Sequence, residues 1–382
     1  MEYTYLLTDY SLYINVESNV LNLMYFLFFR ANSLNFHERK TNIKVLDNFV
    51  PLLRVWRVLE ITYLFYRRRK IYKESKESFP SITTPFYGHC LMVLRLGEYK
   101  IINFKEKDVT TVFPDHFTIS EIENNIRKLL KSQECVLAPR IKNWNINLRY
   151  IKECYINLKK SQFNYESVYN FNSKLFPVIE TIMFSTDPIV IPIKQYVQSL
   201  TKSTEKLIKV YWDTPEYNNF LEFYTFIKTK LMENSIDGEV LLVLSHGDIW
   251  EGNILTNKKI TSVIDWNTIN MRSCNFDLYF ILFYKAVFNN NLRTKIVKEL
   301  ISTMNSFQIY LVENNNYFST KKDMISQSDI NRYLFYLEFI LLKLQEYPKS
   351  DVEQEKFLGY WIDVFMLFEK VVKPENTLNL TH

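Results

Sequence analysis

Glycine is scarce in this sequence, at six residues in 382. No two glycines have the G-x-G-x-x-G spacing and none is followed by the lysine of a P-loop, so both phosphate-binding fingerprints are excluded. Left-handed turns are expected to be few for the same reason. Cysteine is scarce too: Cys90, Cys135, Cys154 and Cys274 form no C-x-x-C pair, and the nearest two lie 19 residues apart. That density argues against a zinc site or a disulfide framework and for a reducing compartment. Long apolar runs are missing. The longest early uncharged run, Ser18 to Phe29, has 12 residues, whereas a membrane span needs about 20. The opening residues, MEYTYLLTDY, lack the basic segment of a signal peptide. A cytoplasmic protein with no transmembrane segment is expected. The charge balance, 47 − 42 = +5, is too mild to argue for nucleic acid.

What is present is apolar and aromatic. Hydrophobic residues make up 47% and charged residues 23%, which permits a large core and excludes wholesale disorder. The length suits two or three domains, or one two-lobed unit. Residues 1–85 read as a mostly helical N-terminal extension. Leu53, Trp56, Leu59, Tyr63, Leu64 and Tyr66 fall near one face of a helix, with Pro51 near its start. That helix runs into Arg67, Arg68, Arg69, Lys70, Lys73 and Lys76. These basic residues read as a solvated helix end, or as a patch for an anionic partner at 67–76.

Residues 86–156 read as a small β-rich lobe of order β-β-β-α-β-β. Its strands are expected at Cys90–Leu96, Tyr99–Phe104, Val109–Phe113, Leu137–Ile141 and Tyr150–Ile156. Its helix is expected at 119–131, capped by Ser120. Residues 157–382 read as a larger helical lobe, with helices near 194–210, 217–234, 276–288, 292–313, 328–346 and 352–372. Asn clusters at 289–291 and 314–316 mark turns.

One non-helical island interrupts the helices: Ser245-His246-Gly247-Asp248-Ile249-Trp250-Glu251-Gly252-Asn253-Ile254-Leu255, then Val263-Ile264-Asp265-Trp266. His246, Asp248 and Asn253 have the H-x-D-x-x-x-x-N spacing of a phosphotransfer catalytic loop. A substrate hydroxyl needs a carboxylate to orient it and take its proton, which suits Asp248. Mg²⁺ takes hard oxygen ligands, which an amide at Asn253 and a carboxylate at Asp265 would supply. His246 reads as a second base or as a brace for the loop. Asp277 reads as a helix N-cap. Trp250 and Trp266 read as packing residues or as a stacking surface for substrate.

HGDIWEGNIL followed by VIDW resembles the aminoglycoside phosphotransferase and choline kinase family, the small-molecule branch of the protein-kinase-like fold. Asn275-Phe276-Asp277-Leu278 resembles that family's Asp-Leu at the start of the next helix, where the Asp buttresses the catalytic loop. The resemblance implies an α+β, two-lobed fold with ATP and Mg²⁺ as cofactors. It further implies transfer of the γ-phosphoryl group to a hydroxyl of a sugar, amino sugar or amino alcohol. Backbone atoms of Cys154 and Ile156 would meet adenine. Glu121 or Glu123 on the small-lobe helix would pair with a phosphate-gripping lysine of the third strand. That strand, VTTVF, has Thr110 and Thr111 instead, and Lys105 and Lys107 precede it. The missing lysine gives the alternative of a kinase-like binding or structural protein without turnover. Gly247 after His246, and Trp266 after Asp265, count against a protein kinase.

Overall fold

The computed structural model describes residues 2–8, 11–34, 50–75, 79–161, 171–208, 216–234, 238–257, 259–288, 293–320, 328–346 and 352–372. The chain divides into two compact units. The first comprises residues 1–133, 137–162 and 251–267, and the second 134–136, 163–250 and 268–382.

The first unit is built on an eight-stranded antiparallel sheet. Its strands are β1 (Tyr3–Leu7), β2 (Leu12–Asn15), β3 (Ser81–Thr84), β4 (Cys90–Val93), β5 (Tyr99–Asn103), β6 (Asp108–Val112), β7 (Ile141–Asn145) and β8 (Tyr150–Cys154), in the order β3-β1-β2-β4-β5-β6-β8-β7. The expected β-β-β-α-β-β order is present, with α3 (Ile119–Ser132) between β6 and β8's partner β7. The cap of α3 is Thr118, whose capping box with Glu121 replaces the expected Ser120. β7 starts four residues later than expected. The carbonyl of Leu137 instead accepts from Val263 N and Ser262 Oγ at 2.8 Å each.

With so few glycines, the turns recruit other residues. Among the described hairpin turns of this sheet, the β4–β5 turn uses glycine in the left-handed region, Gly97 at φ +96°, while Ser11, Lys107 and Arg149 take φ 52–59° at three others. Asparagine carboxamides close two of these turns: Asn103 accepts from Lys105 N and Glu106 N at 3.2 Å, and Asn145 from Leu148 N at 2.8 Å.

The N-terminal region is part of this sheet rather than a helical extension beside it. β1 pairs with both β2 and the distant β3. Helices α1 (Val20–Phe29) and α2 (Val50–Ser75) pack Leu23, Leu27, Val58, Ile61 and Phe65 onto Leu12, Ile14, Cys90 and Ile102 of the sheet. The opposite sheet face buries Tyr5, Leu91 and Ile101. The aromatic stripe read from the sequence, Trp56, Leu59, Tyr63 and Tyr66, is the exposed side of α2. Part of the basic run also turns inward. Arg68 donates to the carbonyls of Leu7 and Thr8, and Arg69 to Ser18 O at 3.0 Å. These two arginines tie α2 to the chain at the ends of β1 and β2, and Arg67, Lys70 and Lys73 remain exposed. Lys76 lies outside the described residues.

His89 sits in this core between Phe26 and Phe104, and its Nδ1 accepts from Phe104 N at 3.2 Å. Burial, aided by Lys105, pulls its pKa from 6.5 down to about 4. The folded pKa lies below the unfolded one, so the stabilisation is full above pH 6.5 and is lost as the pH falls toward 4. Urea unfolding at pH 7 and at pH 4.5 is expected to differ by about 2–3 kcal/mol from this group. An imidazole that titrates near 6.5 by NMR in the folded chain would contradict this.

The second unit is helical around a three-stranded sheet of β10 (Ile189–Pro192), β11 (Glu239–Ser245) and β14 (Asn270–Ser273), in the order β10-β11-β14. (Three further strands, β9 at Lys159–Lys160, β12 at Ile254–Thr256 and β13 at Thr261–Val263, form a small sheet of the first unit.) The helices are α4 (Phe176–Met183), α5 (Ile193–Ile208), α6 (Glu216–Asn234), α7 (Phe276–Phe288), α8 (Arg293–Asn314), α9 (Asn316–Thr320), α10 (Ser328–Glu346) and α11 (Val352–Val372). All six helices read from periodicity are present within two residues of their expected ends. The Asn cluster at 289–291 lies outside the described residues. Phe283, Phe335, Tyr336, Trp361 and Phe365 from α7, α10 and α11 form a buried aromatic core. Much of the Tyr and Phe excess of these helices is therefore structural. One buried ion pair crosses it: Arg332 donates to Glu369 at 2.6 and 3.1 Å, and the hydroxyls of Tyr333 and Tyr336 also donate to Glu369.

Candidate active site

On the helical unit, β11 delivers the chain into the turn that carries His246 and Asp248. Asp277, in the first turn of α7, reaches back under it. Its buried carboxylate accepts from Ser245 Oγ at 2.9 Å, His246 N at 2.8 Å and Gly247 N at 2.9 Å. Asp277 thus braces the loop, where the local reading had made it an N-cap. His246 is fully buried. Its Nδ1 accepts from Asp248 N at 3.3 Å, and its carbonyl accepts from Thr268 Oγ1 at 2.7 Å.

Gly247 has φ +85°, a conformation that side chains rarely adopt. A Cβ there would also lie 2.6 Å from the Arg272 guanidinium and 2.7 Å from Thr268 O. Arg272 fills that space, donating to Thr268 O at 2.7 Å and Ser245 Oγ at 3.2 Å, with its guanidinium 4.7 Å from the Phe276 ring. The glycine after His246 therefore has a steric cause. Trp250 stacks on Tyr284 at 5.3 Å, and Trp266 is buried with its indole N–H on Val263 O, so both make packing contacts.

On the sheet unit, the β12–β13 hairpin pairs Ile254 with Val263, and Ile264 N donates to Asn253 O at 2.9 Å. This register puts Asn253 and Asp265 at the same end of the hairpin. Asp265 has φ +71°, a strained conformation for a non-glycine residue of the kind that collects at functional sites. Its Oδ1 accepts from Lys100 Nζ at 3.2 Å and from Asn267 Nδ2 at 3.1 Å. Burial alone would lower the pKa of Lys100, but Asp265, Glu153 and Glu98 outweigh it and the net shift is upward. Burial raises Glu153 and Glu98, with Lys100 pulling both the other way. The ammonium is thus held charged among three carboxylates.

Among the described residues no group of three or more His, Cys, Asp or Glu forms a metal cage. The donors at the hairpin end still fit Mg²⁺, which commonly takes one or two protein oxygens and completes its shell with water and phosphate. An amide oxygen and a carboxylate are of that kind.

The remaining expected residues fall in three places. Cys154 ends β8 and its N–H already donates to Arg140 O at 2.8 Å, with Ile156 two residues beyond the strand. The segment after β8 is held by the N-terminal region: Tyr155 OH donates to Arg30 O at 2.6 Å, and Asn157 Nδ2 to Phe29 O at 3.1 Å. Glu121 is engaged in its capping box and is exposed, as is Glu123. The carboxylates around Lys100 are Asp265, Glu153 and Glu98, so neither glutamate of α3 has the expected lysine partner. Lys100 itself was not singled out in the sequence. The signal was the alternation of β5, which puts Lys100 on one face and Tyr99 and Ile101 on the other.

Residues 173–308 match the model of the ecdysteroid kinase-like family. That part of the chain is similar to a kinase-like family. The match includes His246, Asp248, Asn253, Asp265 and Asp277, the residues that carry the resemblance to choline kinases and aminoglycoside phosphotransferases, and the expected α+β class is seen directly in the antiparallel sheet of one unit and the helices of the other. The solved structures that are similar include these three. Choline kinase LicA from Streptococcus pneumoniae is 14% identical, over 70% of this chain and 89% of that one, with a TM-score of 0.45. The Plasmodium vivax ethanolamine kinase is 13% identical, over 73% and 82%, with a TM-score of 0.47. Aminoglycoside 2'-phosphotransferase-IIIa in its GDP complex is 11% identical, over 80% and 98%, with a TM-score of 0.46. No curated protein matches the chain. No helix among the described residues is long and apolar enough to cross a membrane.

Proposed function

We propose that the chain is an ATP- and Mg²⁺-dependent phosphotransferase acting on a hydroxyl of a small molecule. The observation that carries this reading is the hairpin end, where Asn253 and Asp265 stand together beside the Lys100 ammonium. Asn253 and Asp265 would hold the Mg²⁺, which when bound neutralises phosphate charge. Asp248 orients the acceptor hydroxyl and takes its proton. His246 and Asp277 keep the loop backbone in place. Positioning and charge neutralisation then account for most of the rate, as phosphoryl transfer requires.

The competing reading, a kinase-like protein without turnover, drew on Thr110 and Thr111 standing where a lysine was expected. Lys100 beside Asp265 weakens that ground. The acceptor screen begins with sugars, amino sugars and amino alcohols. The name of the matching family adds hydroxylated steroids.

Thermal unfolding with and without Mg·ATP tests the reading. Saturation at 100 times the dissociation constant adds about 2.7 kcal/mol to stability. The wild type is expected to show a Mg²⁺-dependent upward shift that Asp265→Asn loses. No shift at millimolar ATP would overturn the proposal.

A further inference from the structure

The lysine that grips nucleotide phosphates was expected on β6, with a glutamate of α3 beside it. Neither is there. Thr110 and Thr111 occupy β6, and Glu121 closes the cap of its own helix. The sheet register shows what stands in their place.

Lys100 on β5 is the direct partner of Thr111 on β6. Residues paired in this way project from the same face, with strands about 4.8 Å apart. Lys100 is therefore displaced from the expected strand by one strand spacing along a single row. Glu153 lies on the same face: it pairs with Val109, which pairs with Ile102, two residues from Lys100. The other lysines of this region point elsewhere. Lys152 pairs with Thr110 on the opposite face and, with Lys142, contacts Asp108 at 3.6–3.8 Å. Lys105 and Lys107 lie in the β5–β6 turn.

The setting of Lys100 is not that of a surface lysine. Its side chain is 26% exposed, its Nζ is 3.2 Å from Asp265, and Glu153 shares its face of the sheet. A surface ion pair gains little from such ordering. A lysine held this way beside an oxygen ligand of the proposed metal has its charge placed where phosphate oxygens would bind.

We propose that Lys100 is the phosphate-binding lysine of this chain, delivered from β5 in place of β6, with Glu153 of the sheet in place of a helix glutamate as its partner. The inference rests on the proposed nucleotide-binding function. It further holds that the charge is needed in this row of the sheet, whichever of the two strands carries it.

The experiment is calorimetric titration of Mg·ATP into the full-length chain and four variants. Lys100→Met is expected to weaken binding about 10–100-fold, the loss of a charge-assisted contact to phosphate. Lys100→Arg, which keeps the charge, and Lys105→Met, the control in the turn, are each expected to stay within about threefold of wild type. The double variant Lys100→Thr with Thr111→Lys moves the same two side chains between paired positions and is expected to recover at least half of the lost binding free energy. It also decides the matter if Lys100→Met fails to fold.

Lys100→Met within twofold of wild type would overturn the assignment, as would a double variant no better than Lys100→Met. A wild type that does not bind Mg·ATP would instead overturn the phosphotransferase reading itself, so the two failures are distinct.

Discussion

Replacing Asp248 by Asn should lower turnover by about 10²–10⁴-fold and leave Mg·ATP affinity within about threefold of wild type. The size follows from the role. Asp248 is assigned to the acceptor hydroxyl, and a carboxamide of the same shape can neither take its proton nor favour developing positive charge on it. The selectivity follows from how the loop is held. Ser245, His246 and Gly247 are anchored on Asp277, and Asp248 N is on His246. These contacts use the Asp277 carboxylate, the Ser245 hydroxyl, the His246 ring and main-chain N–H groups, none of which changes in Asp248→Asn. The nucleotide contacts are assigned to Asn253, Asp265 and Lys100, also unchanged. Single-turnover rates and a binding isotherm on one preparation separate the two quantities. Turnover within tenfold of wild type would remove Asp248 from proton transfer, and a parallel loss of ATP affinity would mean that its role is structural.

The parts legible in the sequence are those whose cause is local. Helices α5 to α8, α10 and α11 repeat their apolar residues every three or four positions over 13–22 residues, and their ends were read within two residues. The catalytic motif was legible because its chemistry is compressed into a few consecutive positions. Strands β1 and β2 were not, since β1 is completed by β3, more than seventy residues away in sequence. Short strands draw their stability from partners, and a five-residue segment such as YTYLL carries no sign of which partner it will have.

The same cause hid Lys100. Asp265 and Glu153 are 165 and 53 positions distant; the register of the large sheet puts Glu153 on the face of Lys100, and the β12–β13 hairpin of another sheet brings in Asp265. For α2 the sequence was misleading in a physical way. Its large aromatic residues were read as sharing one face, but the helix packs through the more compact Val58, Ile61 and Thr62 together with Phe65. Trp56, Tyr63 and Tyr66 are left outside, where a long aromatic stem still covers helix surface.

Asp277 carries the other large expected effect. Asp277→Ala is expected to destabilise the chain by roughly 3–5 kcal/mol, since it leaves three buried donors without an acceptor, at about 1–3 kcal/mol each before relaxation. A second loss adds to it. Arg272 is buried, its charge is disfavoured by burial, and Asp277 is the first of the anions that offset this. Removing the carboxylate leaves that guanidinium under-compensated beneath the loop.

Asp277→Asn separates the two contributions. Oδ1 receives Ser245 Oγ and Gly247 N, and Oδ2 receives His246 N, so an amide can keep the first pair while its NH₂ opposes the third donor. The asparagine variant should therefore lose about 1–3 kcal/mol, less than alanine. Urea unfolding followed by tryptophan fluorescence reports this directly, because Trp250 lies in the braced loop. Equal midpoints for wild type and Asp277→Ala would refute the brace. An asparagine variant as unstable as alanine would place the weight on Arg272 instead of on the loop N–H groups. If the brace holds, turnover in Asp277→Asn should fall even under conditions where the chain stays folded, since the peptide bond it ceases to hold, at His246, lies two residues before the proposed base.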